Sequence, residues 1–264
     1  MNRNTLKYLH ELQQQGKSDE EISRALLDMT LESAPPDVAE AVRVGALPAW
    51  FDAGILAHLL DIEQAEAEQL MEKIEEFSFV MPREGSSGIV YHETTRERLL
   101  EAWQKPELNE RFVELSERLA PLMLAFANKY DPQLKTTDYL EALDVLDNLY
   151  PNIRAAWKHA VTVDQPEILG RFGYTMGDYQ ALRSLWDERI QWKQMAAEAY
   201  RQLDKPEDLA AAQNNLGNAY RNLPTGDRAD NLQRAIACYQ EALRFYTPEA
   251  APLDYAMTQN NLGN

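Results

Sequence analysis

The six residues QNNLGN occur at Gln213–Asn218 and return unchanged at Gln259–Asn264, and the match extends upstream of both copies. Pro206, Asp208 and Ala210 correspond to Pro252, Asp254 and Ala256, all at an offset of 46 residues. A fixed period of this length constrains the architecture strongly, because a unit of two short helices cannot bury its apolar face alone and must stack on a copy of itself. The expectation is a solenoid. The second copy begins near Ala256 and stops at Asn264, part-way through its first helix, so the natural protein is expected to continue.

Composition agrees with helices. Only 11 Gly and 13 Pro occur among 264 residues, and long stretches are written in Ala, Leu, Glu, Gln and Arg, all good helix formers. The length suits roughly two domains. Lys and Arg total 26 against 43 Asp and Glu, a formal charge of -17, which repels phosphate backbones and anionic membranes; neither nucleic acid nor a membrane is an expected partner. Cys238 is the one cysteine and cannot form an internal disulfide, and no run of transmembrane length appears. A cytoplasmic setting is expected.

Along the chain, helices are expected over Thr5–Gln15 and from about Asp19 to Leu31. GKS at Gly16–Ser18 looks like the end of a phosphate loop, but Glu11 stands where that motif needs a glycine, and a helix precedes it instead of a strand. Ser18 with Glu21 three residues later reads as a capping box. Residues 1–35 therefore form an N-terminal helical segment, ended by Pro35-Pro36. Between 36 and 105, helices near Phe51–Leu60 and Gln64–Phe77 precede SFVMP, a turn EGSSG and GIVYH, which read as a β-hairpin around Gly85 and Gly88, and a helix over Thr94–Trp103. That order is winged-helix-like. Residues 106–165 read as a helical connector with breaks at Asp131-Pro132 and Tyr150-Pro151, and 166–264 as helices separated by short polar breaks. The fold class is mainly α: N-terminal helices, a winged-helix domain with one hairpin, then an α-α superhelix.

The repeat resembles the tetratricopeptide repeat. Leu216, Gly217 and Tyr220 fit that family's first helix; Ala235, Tyr239 and Ala242 fit its second, and Pro248 ends the unit. Gly217, Ala235 and Ala242 are small enough for two helices to approach, and Tyr220 and Tyr239 fill the space between neighbours. The family period is 34, so about 12 extra residues fall in the turns. A degenerate unit is expected upstream, over Pro166–Leu203, with Ala196 and Ala199 in its second helix and Trp192 where a small residue belongs. In this family the stripe carrying Asn214 and Asn218, with Asn215 beside it, faces a concave groove. Asn260, Asn264 and Asn261 would repeat it one unit along, and Arg221 could add a carboxylate contact. Asn carries one acceptor and two donors, enough to pair with the backbone of an extended peptide. The alternative is that some of these asparagines cap or cross-link neighbouring helices.

Taken together, residues 37–264 resemble the C-terminal half of bacterial signal-transduction ATPases of the apoptotic-ATPase type, without the nucleotide-binding half. GALPAWFDAGILAHLL (Gly45–Leu60) is similar to the opening of their winged helix, IVYHETTRERLL (Ile89–Leu100) to its closing strand and helix, and DNLYPNIRAAWKHAV (Asp147–Val161) to the connector. The resemblance implies a His at the strand-to-helix junction that senses a nucleotide phosphate; His92 stands there, and a junction His satisfied by a backbone carbonyl or by Glu93 is the other reading. A DNA-reading helix over Gln64–Phe77 would carry Glu66, Glu68, Glu72, Glu75 and Glu76 against Lys73 alone, which argues against duplex binding. No catalytic set, metal-ligand spacing or cofactor motif is present: His10, His58 and His159 are scattered, and Trp157, Trp186 and Trp192 read as core. The expected function is a non-enzymatic interaction module that binds a peptide or protein in the groove. The alternative is a regulatory arm of a larger signalling ATPase or protease whose active domain lies outside this chain.

Overall fold

The structure, a computed structural model, describes residues 3–263, and these are mainly helical, with fourteen α-helices and one two-stranded sheet. None of these helices is long and apolar enough to cross a membrane. The chain divides into two compact units, Met1–Arg118 and Leu119–Asn264.

In the first unit, α1 (Arg3–Gln14) ends at Gly16 in the left-handed region (φ 70), and Lys17 N–H reaches Leu12 O at 3.2 Å. The capping box then opens α2 (Asp19–Ser33): Ser18 Oγ accepts from Glu21 N–H at 3.2 Å, and Glu21 Oε2 accepts from Ser18 N–H at 2.9 Å. The GKS stretch is thus one helix end and the next helix start. A helix that the sequence reading missed comes next, α3 (Pro36–Val44), with Pro36 in its first turn, where the missing N–H is harmless. The proline pair read as a break is also a start, and Val38, Ala41, Val42 and Val44 are buried behind it.

Asp52 caps α4 (Ala53–Leu60) by accepting from Ile55 N–H at 2.9 Å. After α5 (Gln64–Glu75), the expected hairpin forms from β1 (Val80–Pro82) and β2 (Ile89–Tyr91), with Val80 opposite Tyr91 and Pro82 opposite Ile89. Phe51 adds an isolated bridge to Ile89, through N–H to O contacts of 3.1 and 2.8 Å in both directions. The end of α3 and the loop after it leave carbonyls without helical partners, and side chains from later in the chain supply donors. Tyr91 Oη donates to Val42 O at 3.0 Å and Trp103 Nε1 to Arg43 O at 3.1 Å. Arg96, from α6 (Glu93–Trp103), donates to Pro48 O at 3.0 Å and Leu47 O at 3.2 Å.

Helix α7 (Asn109–Tyr130) contains the division between the units. A 3-10 turn over Asp131–Lys135 comes after it, and then α8 (Tyr139–Thr162). The break expected at Tyr150-Pro151 does not occur: Pro151 lies inside α8. Its side chain is exposed while Leu149, Tyr150, Ile153 and Trp157 are buried. A proline in a helix interior costs about 3 kcal/mol, and the apolar residues on the opposite side hold the helix through it. The connector motif also fastens the helices after it: Asp147 accepts from Tyr179 Oη at 2.8 Å and Arg183 Nε at 2.7 Å, and Tyr150 Oη donates to Glu188 at 2.6 Å.

The rest of the unit is a stack in which α9 (Pro166–Thr175) packs on α11 (Trp186–Gln202), α11 on α12 (Pro206–Arg221), α12 on α13 (Arg228–Ala242), and α13 on α14 (Pro252–Gly263), with the short α10 (Gly177–Leu182) between α9 and α11. Three turns share one geometry. Asp164, Ser184 and Asp204, spaced 20 residues apart, have φ of 51, 57 and 52. The next N–H in each case reaches a carbonyl five residues back, Gln165 to Ala160 at 2.9 Å, Leu185 to Gln180 at 2.8 Å and Lys205 to Tyr200 at 3.0 Å.

Helix contact in the stack depends on glycine facing tyrosine. A Cβ on Gly217 would lie 2.5 Å from the Tyr239 ring, and one on Gly170 would lie 2.5 Å from the Tyr200 ring. The pair α9 and α11 thus makes the same glycine-to-tyrosine contact as the pair α12 and α13. At its large residue, Trp192, the small partner comes from the other helix: a Cβ on Gly173 would lie 2.6 Å from Trp192 O and 2.5 Å from Ala196 Cβ. Trp192, 1% exposed, stacks on Trp157 with centroids 4.9 Å apart and meets Phe172 edge-on at 5.8 Å.

The glycine sites should respond differently to substitution. Gly173→Ala meets backbone that cannot yield and should destabilise by about 1–3 kcal/mol. Gly217→Ala meets the buried Tyr239 ring and not backbone, and the collision is offset in part by about 1 kcal/mol of helix propensity. Thermal unfolding followed by circular dichroism should show the larger loss for Gly173→Ala; equal losses would sink the argument. In the first unit, Arg96→Met strips donors from two carbonyls and should cost about 1.5–3 kcal/mol in urea unfolding.

Candidate binding groove

Along the stack, two contiguous cavities of about 420 Å³ each share Asn128, Tyr174, Thr175, Lys193 and Asn215 in their lining. The first is lined further by the small residues Gly170, Gly173, Ala196, Ala211 and Ala212, with Arg171, Tyr200 and Asp208 beside them. The second extends over polar groups, including Asp131, Lys135, Asp178, Arg189 and Asn218. The residues that let helices approach thus also leave room above them.

The asparagines separate into two groups. Asn215 lines both cavities and Asn218 lines the second. Asn218 Oδ1 accepts from Tyr239 Oη at 2.9 Å, so part of its acceptor capacity serves packing. Asn214 points elsewhere: it is 9% exposed, and its Oδ1 accepts from Thr258 Oγ1 at 3.3 Å and Asn261 Nδ2 at 3.1 Å. Asn214 and Asn261 are therefore a tie between α12 and α14, as in the cross-linking alternative. Asn260 is exposed on α14, Arg221 is half-buried and absent from the lining of both cavities, and Asn264 lies outside the described residues. His92 opens α6 as its cap residue, exposed and without a side-chain capping bond.

The sequence reading missed the charged groups of the groove. Lys193, 5% exposed, lies on the stripe of α11 that carries Ala196, Ala197 and Tyr200, at positions three, four and seven residues on. A lysine on an otherwise apolar stripe is the signal that could have found it. Its Nζ donates to Gly173 O at 2.9 Å, and burial pulls its pKa down to about 8, with Arg189 adding to the fall and Asp131 and Asp178 opposing it. Asp131, 6% exposed, accepts from Tyr179 N–H at 3.0 Å and so caps α10 from another element. Burial pushes its pKa up to about 7; the Tyr179 N–H works against that rise, and Asp178 adds to it. Asp178 is itself paired with Lys135 at 2.5 Å. Arg189 Nε is buried without a hydrogen-bond partner.

Among the described residues, no group of three or more His, Cys, Asp or Glu side chains is arranged to hold a metal ion. The chain matches no family model, no curated protein and no solved structure.

The raised Asp131 pKa has a defined consequence for stability. Below pH about 4 its carboxyl is neutral in both folded and unfolded chains. Between about 4 and about 7 the unfolded chain ionises while the folded one keeps its proton, so this group's contribution to stability falls as pH rises. Asp131→Asn keeps an acceptor for Tyr179 and does not titrate. Its Tm should gain on that of the native chain between pH 4 and pH 7, and parallel Tm curves would refute the assignment.

Proposed function

We propose that this chain is a non-catalytic interaction module of the tetratricopeptide type, and that the groove along α9, α11 and α12 takes an extended segment of a peptide or protein partner. Asn215 carries the reading: its amide opens on both cavities, one helical turn from Asn218, and an amide can pair with the N–H and C=O of any extended backbone. The glycine-to-tyrosine contacts and the turns spaced 20 residues apart support the repeat assignment. The proposed site is thus narrower than the row of asparagines suggests: Asn215 and Asn218 belong to it, and Asn214 and Asn261 support the stack.

The first unit favours a second, compatible reading, as the regulatory arm of a larger signalling ATPase or protease. The order α3, the Phe51 bridge, α4, α5, β1, β2 supports the winged-helix reading of this unit. Glu66, Glu68, Glu72, Glu75 and Glu76 are exposed on and just beyond α5, which makes it a poor reader of DNA and suits a packing role. In this reading the nucleotide-hydrolysing or protease domain lies outside this chain.

Selection of peptides from a random display library on the full chain tests the main proposal. Asn215→Ala should weaken capture of the selected peptides about tenfold, the worth of one or two hydrogen bonds, with Tm unchanged. Asn214→Ala should lower Tm and affect capture less. Capture that is indifferent to Asn215→Ala would reject the groove.

A further inference from the structure

Lys193 is held in a way that favours a free amine over an ammonium. It is 5% exposed and lines both cavities. Lys17, Lys73, Lys135 and Lys205 each pair with a carboxylate, those of Glu21, Asp37, Asp178 and Glu167. Lys193 makes no such pair, and its Nζ donates to Gly173 O at 2.9 Å. A buried charge without a counter-charge is costly, so burial moves such a group toward its neutral form. The neutral amine keeps that hydrogen bond with one of its two N–H groups, and its lone pair is left free. Gly177 keeps the space beside it open: a Cβ there would stand 3.0 Å from Nζ.

The charged groups around Lys193 act in both directions. Arg189, one turn before it on α11, adds to the effect of burial, while Asp131 of the 3-10 turn and Asp178 of α10 oppose it. Asp178 is itself paired with Lys135 at 2.5 Å. The other titratable side chains on the cavity walls are Arg171 and Tyr174 of α9, Tyr200 of α11 and Asp208 of α12. The balance leaves Lys193 at about 8. A lysine that is desolvated and stands beside a second cation is a nucleophile toward carbonyl carbon.

We propose that Lys193 is a reactive amine that captures a small aldehyde as an imine where the two cavities meet. Each cavity, at about 420 Å³, is of the size of a small-molecule site. The amine lone pair attacks the carbonyl carbon, a C–N bond forms, and the π pair of the carbonyl moves to oxygen. One proton passes from nitrogen to that oxygen, giving a carbinolamine. The hydroxyl then leaves with the remaining N–H proton as water, and C=N is formed with no oxidant or reductant. Asp131 faces the same cavity and, with its pKa up to about 7, is present near neutrality as both acid and base, so it can carry these protons. The proposal goes beyond the peptide groove and does not depend on it.

Competitive labelling of the full chain tests this. Limiting formaldehyde is added with sodium cyanoborohydride, which reduces each imine to a stable alkylamine, and peptide mass spectrometry compares Lys193 with the exposed Lys158 in the same sample. At pH 7 an amine with a pKa of about 8 holds on the order of a hundredfold more free base than an ordinary lysine. Its lower basicity and restricted access take back part of this, so labelling at Lys193 should exceed that at Lys158 by about tenfold or more. The ratio should fall as pH rises from about 8 to about 10, where ordinary lysines also lose their protons. Benzaldehyde in place of formaldehyde should keep the preference, because the cavity admits the ring. Gly177→Ala crowds Nζ and should lower labelling at Lys193 several-fold while leaving Lys158 unchanged. Labelling of Lys193 no faster than Lys158 at pH 7, a ratio indifferent to pH, loss of the preference with benzaldehyde, or unchanged labelling in Gly177→Ala overturns the proposal. The outcome of peptide capture bears on the groove reading alone.

Discussion

The approach of α9 to α11 and of α12 to α13 is set by the absence of a side chain. Gly170, Gly173 and Gly217 stand where a Cβ would collide at 2.5 or 2.6 Å with a tyrosine ring or with backbone. Aromatic rings fill the notches so formed, and Tyr239 does so fully buried at 1% exposure. Close approach of this kind has a second effect. Where facing positions are glycine and alanine, little side chain fills the space above the helices, and Gly170, Gly173, Ala196, Ala211 and Ala212 all line the first cavity. Packing and cavity come from the same residues.

Charge enters that cavity at a cost. A buried ammonium and a buried carboxyl each lose hydration, and neither Lys193 nor Asp131 recovers it through a direct ion pair; each makes one hydrogen bond to backbone, Lys193 to Gly173 O and Asp131 to Tyr179 N–H. Both are displaced toward neutrality, Lys193 to about 8 and Asp131 to about 7. Apolar residues would fill these positions more stably. Perturbed groups concentrated in a recess are a mark of binding sites, and here the perturbation coincides with spare donors.

The first unit solves a different problem, that of satisfying irregular backbone. Residues 45–52 run from α3 to α4 without regular structure, with Phe51 edge-on to Tyr91, and their carbonyls need donors. Arg96 supplies two, and Tyr91 and Trp103 serve the end of α3. Burial lowers the Arg96 pKa, Glu97 partly offsets this, and the guanidinium remains a cation. The loop is held from β2 and α6, so the hairpin region is part of the support of the loop that precedes it in sequence.

The features legible in the sequence were local. The Ser18–Glu21 capping box, the hairpin around Gly85, and the Leu216, Gly217, Tyr239 pattern each lie within a few residues or one helix pair, and each appears where the spacing puts it. The features that were not legible depended on distant partners. Pro151 reads as a break until the buried face opposite it is known. Asn214 and Asn215 are adjacent and chemically identical, yet about 100° apart around α12; one ties to Thr258 on α14 and the other faces the cavity. The phase of the asparagine stripe relative to the stack decides which is which, and that phase is fixed by Gly217 against Tyr239. Lys193 was legible in principle, as a charge on an apolar stripe with Arg189 one turn away, but its meaning depends also on Gly177 and Asp131, which come from other elements. The groove is therefore a property of the helical stack and of no single helix pair.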